Sequence, residues 1–384
     1  MSHRLILYDT SNYTDYPVGG QLTSIRNFLR YMGEEHADHA QDVLLVGICR
    51  NAEDIGTFGA VRVGGADFPF LAVAQAPEAL SSVGHSLRKD FLMGLLRYRK
   101  AIGIRRSDCN YLHTPEAFLA VQFACPGAVC CVLSHGTYIG IGERARFGNP
   151  LVRRIFDWYA LWVIRLCRKV FVLDKACERD YAPYNSHVVR IGNTIVCRPF
   201  RERIREDGAP VRFLYAGRLS GPKEKNIGPI VEAVKGYHKD SVLTLLGDGE
   251  ARQELEDLAD GSARIVFRGA VKPDEVQREM ERQDILVLNS VSEGMPMVIL
   301  EALCSGLPVI TTDVGGIPDV LTYGTDSEVT DGTAESIRAA ADRITGDAAV
   351  YARYSRAAWE TSLQYDYRKG NARIFGELNE ELGW

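Results

Sequence analysis

No stretch of this sequence is both long and apolar enough to cross a bilayer. The nearest candidate, Ile155 to Leu166, contains Asp157 and Arg165 and falls short of the roughly 20 apolar residues a spanning helix needs. No charged-then-apolar leader opens the chain. Leu5, Ile6 and Leu7 form a short apolar run stopped by Asp9, which reads as a first strand and not a signal peptide. These two absences lead to the expectation of a soluble, cytoplasmic protein. Metal-spaced cysteines are also missing: the nine Cys form no C-x-x-C pair and have no His partners at zinc spacing. Zinc modules and disulfide scaffolds are thereby excluded, and buried free thiols are expected. There is no D-x-D motif to hold a divalent metal, no repeat of 20–50 residues and no low-complexity tract. The dinucleotide fingerprint G-x-G-x-x-G is absent too, and the pair Gly140-x-Gly142 does not supply it.

What is present is a chain of 384 residues with 46% hydrophobic and 25% charged content, a soluble globular composition of a length that suits two cores. Short apolar runs alternate with amphipathic stretches, the pattern of α/β domains with parallel sheets. Strands are expected at Leu5–Tyr8, Val43–Ile48, Tyr111–His113, Val129–Ser134, Val170–Leu173 and Val188–Ile191. A helix with Leu22, Ile25, Leu29 and Met32 on one face follows the first of them. The polar segment 201–210 reads as a linker. The rhythm then restarts, with strands at Arg212–Ala216, Leu243–Leu246, Ile265–Arg268, Ile285–Asn289 and Pro308–Thr312. Helices are expected between them near Ile227–Tyr237, Glu250–Leu258, Asp274–Glu281 and Met297–Cys304. The expected organisation is a first doubly wound domain over 1–200 and a second over 211–365. A C-terminal helix, 366–384, is expected to pack back on the first.

The net charge of −5 is unevenly spread: 23 Lys+Arg against 18 Asp+Glu in the first 200 residues, and 22 against 32 in the rest. Basic residues concentrate at Arg88, Lys89, Arg97, Arg99, Lys100, Arg105 and Arg106, interleaved with Leu87, Phe91, Leu95, Tyr98 and Ile102 at helical spacing. Such a helix over 87–106 suits weak contact with an anionic membrane surface, or simply a solvated face over an apolar one. No nucleic-acid partner is expected.

Ligands of open parallel sheets sit beyond the carboxyl ends of the strands, and four loops there stand out. Gly19-Gly20 precedes a helix, where close backbone approach and free N–H groups suit a phosphate. His135-Gly136 follows an apolar strand, and the imidazole can hydrogen-bond a substrate hydroxyl. Gly217-Arg218, with Lys223 and Lys225 a few residues on, offers a guanidinium fork and point charges to phosphate oxygens. The most specific loop is Glu293-Gly294-Met295-Pro296-Met297-Val298, followed by Glu301 on an otherwise apolar helix. Pro296 is expected at the first helical position, leaving the Met297 and Val298 N–H groups free for an anion. Two carboxylates flanking a phosphate pocket suit the hydroxyls of a nucleotide sugar.

The order Gly19-Gly20, His135-Gly136, Asn193, Gly217-Arg218-Leu219, Gly247-Asp248-Gly249 and Glu293-x7-Glu301 resembles the family 4 retaining glycosyltransferases of the GT-B fold. The resemblance is strong from Phe213 to Ile317 and diffuse in the first half. It implies two Rossmann-like domains facing each other across a cleft, with a nucleoside diphosphate sugar, UDP-linked in preference to GDP-linked, held by the second. Gly20 would approach the diphosphate, Arg218 and Lys225 would bind its oxygens, and Val271 would lie along the base. Glu301 would hold the ribose, Glu293 would contact the transferred sugar, and His135 would lie beside it. His113 and Asn193 are the acceptor-side candidates. The chain departs from the family at Asn193-Thr194-Ile195-Val196, where Asn-Gly-Val-Asp is usual, and at Asp319, where Glu is usual.

The resemblance further implies metal-independent transfer of a hexose-type sugar with retention to a glycan or lipid-linked acceptor. The setting it suggests is cell-surface polysaccharide or glycolipid synthesis, at the cytoplasmic face of a membrane. A GT-B-like nucleotide-sugar 2-epimerase, or a non-catalytic glycan-binding scaffold, is the alternative.

Overall fold

The structure, a computed structural model, describes residues 3–17, 19–76, 87–136, 150–206 and 208–384. The chain forms two compact units, one of Met1–Gly192 with Tyr367–Trp384 and one of Asn193–Asp366.

In the first unit the strands are β1 (Leu5–Tyr8), β2 (Val43–Cys49), β3 (Phe58–Val63), β4 (Ala66–Gln75), β5 (Cys109–Leu112), β6 (Val129–Ser134), β7 (Lys169–Val172) and β8 (Val188–Arg190). They form one sheet in the order β3-β4-β2-β1-β5-β6-β7-β8, parallel except for the antiparallel β3–β4 pair. The helices are α1 (Gly20–Glu35), α2 (Leu87–Arg97), α3 (Arg99–Ile102), α4 (Glu116–Ala124), α5 (Pro150–Leu166) and α6 (Lys175–Tyr181). Strands β1, β2, β5 and β7 are buried throughout because helices cover both sheet faces, which is why they read as continuous apolar runs. One face packs Phe91 and Leu95 of α2, Phe118 and Val121 of α4, and Val163 and Ile164 of α5 against Ile6, Val46, Val132 and Val170. On the other face Phe28 of α1 meets Tyr111 edge-on at 6.0 Å.

The hairpin β3–β4 is missing from the strands expected above. Its turn, Gly64-Gly65, has both residues at positive φ (59° and 83°), the geometry a two-residue hairpin demands. The amphipathic run over 87–106 also differs from expectation: it breaks into α2 and α3, and residues 103–106 are not helical. Its apolar side is in the core, with Phe91, Leu95 and Ile102 at most 2% exposed. The basic side remains outside, together with Met93.

The second unit contains β9 (Val211–Ala216), β10 (Ser241–Leu246), β11 (Ile265–Gly269), β12 (Ile285–Leu288), β13 (Val309–Thr312) and β14 (Ser327–Thr330). Its sheet is all parallel, in the order β11-β10-β9-β12-β13-β14, the doubly wound arrangement. Its helices are α7 (Gly228–Lys235), α8 (Arg252–Ala259), α9 (Pro273–Met280), α10 (Met297–Cys304), α11 (Ala334–Ile344) and α12 (Ala348–Ser362). The segment 201–210, read as a linker, is fastened to this unit. Arg205 bonds Asp284 at 3.2 Å, and Arg203 donates to the Ser305 carbonyl at 3.2 Å and to that of Gln283. The chain then returns to the first unit as α13 (Tyr367–Leu382). There Tyr367 and Arg368 bond Glu34, and the ammonium of Lys169 meets Glu377 at 2.8 Å.

Candidate functional site

In each sheet the strand order reverses around one strand, β1 in the first unit and β9 in the second. Loops leaving the carboxyl ends of that strand and its later neighbour run to opposite sides and open a crevice. In the second unit this crevice lies between the loops after β9 and β12, where the most specific motifs fall.

After β9, Gly217 and Arg218 are exposed. Their backbone is fixed from both sides: the Gly217 N–H donates to Leu246 at 2.9 Å, and the Tyr215 hydroxyl donates to the Arg218 carbonyl at 2.8 Å. A Cβ on Gly247 would stand 1.9 Å from the Gly217 carbonyl oxygen, so only glycine lets these two loops pack. Lys223 is exposed, whereas Lys225 is partly buried and its ammonium bonds Glu293 Oε1. The Ser290 hydroxyl donates to the same oxygen at 2.7 Å. Burial raises the Tyr215 phenol well above its usual range, and the Glu293 charge adds to that. The structure therefore brings Arg218, Lys225 and Glu293 to the ends of two adjacent strands. Gly315 closes the arrangement from behind. It has φ 59°, its Cβ would lie 1.7 Å from the Glu293 carbonyl oxygen, and the Gly316 N–H donates to Gly294 at 2.9 Å.

Pro296 is the residue before the first helical one, not the first helical residue. Its ψ of 124° is extended, α10 begins at Met297, and the Pro296 carbonyl accepts from Ile299 at 3.2 Å. The extended conformation places the turn one residue later than the proline signal suggests. Met297 and Val298 still hold the leading N–H groups of the helix, with no turn before them to accept. On α10 the residues not fully buried are Val298 and Glu301, three apart and hence on one face. Among the described residues the Glu301 carboxylate has no hydrogen-bond or ion-pair partner. Burial, and then the Cys304 charge, push it up to about 7. A carboxylate so placed gains from any hydroxyl that donates to it.

Asn193, an acceptor-side candidate from sequence, lies in the second unit against the motif loop. Its backbone N–H reaches Met295 Sδ at 3.0 Å and its amide donates to the Met295 carbonyl at 2.6 Å. It shapes the loop that precedes α10. Val271 borders a shallow hollow of about 230 Å³ with Leu246, Arg268 and Glu275, beyond the ends of β10 and β11. A larger cavity of about 550 Å³, lined by Arg198, Arg203 and Tyr351, includes Arg212 and Asp284 at the opposite ends of the strands and is apart from these motifs.

The first unit assembles a second set of groups around the end of β1. His113 and His135 follow β5 and β6, and His113 Nδ1 lies 3.1 Å from His135 Nε2. Burial lowers both, His135 to about 4, and the His135 charge lowers His113 further. Both imidazoles are therefore neutral near pH 7, and one must donate to the other. His113 Nε2 is buried and has no hydrogen-bond partner among the described residues. Asp9, at the end of β1, was seen in the sequence only as the residue that ends an apolar run. It is 1% exposed, accepts from the Gln21 side chain and is pushed up to about 6 by burial. The rule that drew attention to His135, a polar residue at a strand's carboxyl end, finds Asp9 too. Gly19 and Gly20 open α1 beside it, with Gly19 as the cap. Among the described residues no three His, Cys, Asp or Glu side chains are grouped to hold a metal ion.

The chain is similar to known proteins. The family model for glycosyl transferases group 1 matches residues 210–347, which hold Arg218, Lys225, Glu293 and Glu301. The sulfoquinovosyl transferase SQD2 of Arabidopsis thaliana is 23% identical over 96% of this chain and 72% of its own length. Residues 210–347 belong to the glycosyl transferases group 1 family. A lipopolysaccharide 1,6-galactosyltransferase of Escherichia coli is 32% identical over a shorter region, 30% of this chain and 34% of its own. Among solved structures, sucrose-phosphate synthase from Thermosynechococcus elongatus aligns over 99% of both chains with a TM-score of 0.78 at 15% identity. Anabaena HepE in complex with UDP-glucose aligns over 98% of this chain and 99% of its own, at 0.69 and 16%. These likenesses identify the glycosyltransferase as having the GT-B fold.

Proposed function

We propose that this glycosyltransferase moves a hexose-type sugar from a nucleoside diphosphate sugar, UDP-linked in preference to GDP-linked, to a glycan or lipid-linked acceptor with retention and without a metal. The reaction would serve polysaccharide or glycolipid synthesis at the cytoplasmic face of a membrane, with the basic outer side of residues 87–106 toward anionic lipid. The observation that carries the proposal is the join of Lys225 to Glu293 just before the helix that bears Glu301, a carboxylate without a partner among the described residues. Anabaena HepE, of similar fold, is solved in complex with UDP and with UDP-glucose, which favours uridine.

In this reading the diphosphate takes hydrogen bonds from Arg218, from Lys225 and from the leading N–H groups of Met297 and Val298. Lys225 has three donors, so it serves the phosphate while staying bonded to Glu293. Glu301 accepts from the ribose hydroxyls, and the base lies along Val271. Gly19 and Gly20 offer backbone to the phosphate, and the neutral His135, oriented by His113, bonds a sugar hydroxyl. The bond between the anomeric carbon and the β-phosphate oxygen breaks, and the acceptor oxygen bonds to that carbon on the same face. The acceptor's proton passes to the departing phosphate oxygen. Negative charge grows on the diphosphate, where the cations and helix amides already point, so they stabilise the transition state more than the ground state.

Glu293→Gln tests the assignment. It keeps shape and removes the charge that holds Lys225 and meets the sugar. Transfer is expected to fall by about 100-fold or more, with UDP affinity within about threefold of wild type. Full transfer by this variant would contradict the role of Glu293.

A further inference from the structure

Of the fourteen large apolar side chains that stand exposed among the described residues, eight lie on three neighbouring helices of the first unit. Helix α5 contributes Leu151, Ile155, Trp158, Trp162 and Leu166, between 36% and 66% exposed. Their spacing of four, three, four and four residues makes one continuous stripe along the helix. Its opposite face, Ala160, Val163 and Ile164, is fully buried in the core. Helix α4 adds Leu119 and Phe123, and α2 adds Met93. The three helices are joined: Phe118 meets Trp162 edge-on at 5.6 Å, Tyr159 donates to the Pro115 carbonyl at 2.8 Å, and Arg88 stacks over Phe156 at 5.9 Å.

Cations border this surface. Arg88, Lys89, Arg97, Arg154 and Arg165 are exposed on α2 and α5, and Arg99 and Lys100 on the adjoining α3, against the carboxylates Asp90, Glu116 and Asp157. Glu116 is already paired with Arg88 at 3.0 Å. Burial of this much apolar area in water's place is favourable, so the question is what covers it. A second copy meeting the patch across a two-fold would set cation against cation, because such an interface joins a surface to itself. An anionic bilayer answers both features: tryptophans settle at the interfacial depth and the flanking Lys and Arg meet lipid phosphates.

We infer that the outer face of α5, with the exposed residues of α4 and α2, is a docking surface for an anionic lipid bilayer. The stripe of α5, and not the apolar side of residues 87–106, enters the interface. The 17 residues of α5 give about 25 Å of helix lying along the membrane. Helix α5 lies between β6 and the parallel β7, so it runs back along the sheet and its first turn, with Leu151, is at the sheet end where His135 stands. A lipid-borne acceptor entering beside Leu151 would thus have its head group near the His113–His135 pair. The inference deepens the lipid-linked-acceptor reading and rests on it only for what the bilayer delivers.

The test is co-sedimentation of the full chain with vesicles of mixed phosphatidylglycerol and phosphatidylcholine, and with vesicles of phosphatidylcholine alone. Tryptophan fluorescence is followed in parallel. Wild type is expected to pellet with the anionic vesicles, to show a blue shift, and to be released by added salt. Ile155→Glu with Trp158→Glu should lower partitioning about tenfold or more, and Phe123→Ser on α4 should lower it less. The melting-temperature rise given by UDP should be unchanged in both variants, showing that they fold. Three results would overturn the inference: wild type remaining in the supernatant, variants that pellet as well as wild type, or a dimer that the substitutions dissociate without vesicle binding. Vesicle binding with no transfer to any lipid acceptor would leave the docking surface standing and remove the lipid-acceptor reading.

Discussion

Two carboxylates with seven residues between them in the motif behave differently because their surroundings differ. Glu293 is bonded to Lys225 and Ser290, whereas Glu301 has burial without a partner and is held up to about 7. Hydroxyl donors favour the charged form, so a bound ribose lowers the Glu301 value and its binding releases a proton wherever the free carboxyl is protonated. The sign follows: UDP affinity should rise as pH increases from about 5.5 toward 7 and level off above it. Glu301→Gln should weaken UDP binding by about tenfold, the worth of one charge-assisted hydrogen bond, and flatten that dependence. Titration calorimetry across the pH range reads both effects, and an unchanged slope in the variant would remove Glu301 from the site. Glu301 was legible in the sequence because a lone acid on an apolar helix needs a reason. The protonation of the paired histidines was not, since it depends on burial and on a contact between residues 22 positions apart.

At the scale of elements, the site depends on loops that only glycine lets pass. Gly315 holds the Glu293 loop by its positive φ and by the lack of a Cβ where the carbonyl oxygen stands at 1.7 Å. Gly315→Ala must move one loop or the other and is expected to cost about 1–3 kcal/mol in stability. Transfer should fall more than Tm would suggest, because Glu293 moves with its carbonyl; urea unfolding and a transfer assay on the same preparation check this. A variant with normal stability and normal transfer would show that the loops are less tightly matched. The parallel strands were readable because burial on both faces leaves unbroken apolar runs. The β3–β4 hairpin was missed although Gly64-Gly65 is a turn signal, since the exposed edge strand β3 alternates weakly. Residues 334–382 form three helices, α11, α12 and α13, and caps at Thr333 and Asp347 set the starts of the first two. In the 87–106 segment periodicity located the apolar side, but sequence alone did not say that it faces the core. That orientation depends on the sheet beneath it.

At the scale of the whole molecule there are two doubly wound units, and the proposed nucleotide site belongs to the second. Residues 193–210 pack with that unit, because Arg203, Arg205 and Asn193 are bonded to it, so the division falls earlier than the polar composition of 201–210 indicated. The most direct test is the shift in melting temperature given by UDP, GDP and ADP with EDTA present, for wild type and for Arg218→Ala. A ligand that binds only the folded state raises that temperature. A rise with UDP larger than with GDP or ADP, undiminished by EDTA and lost in Arg218→Ala, is expected. No rise with any nucleotide, or a rise with UDP that Arg218→Ala leaves intact, would contradict it.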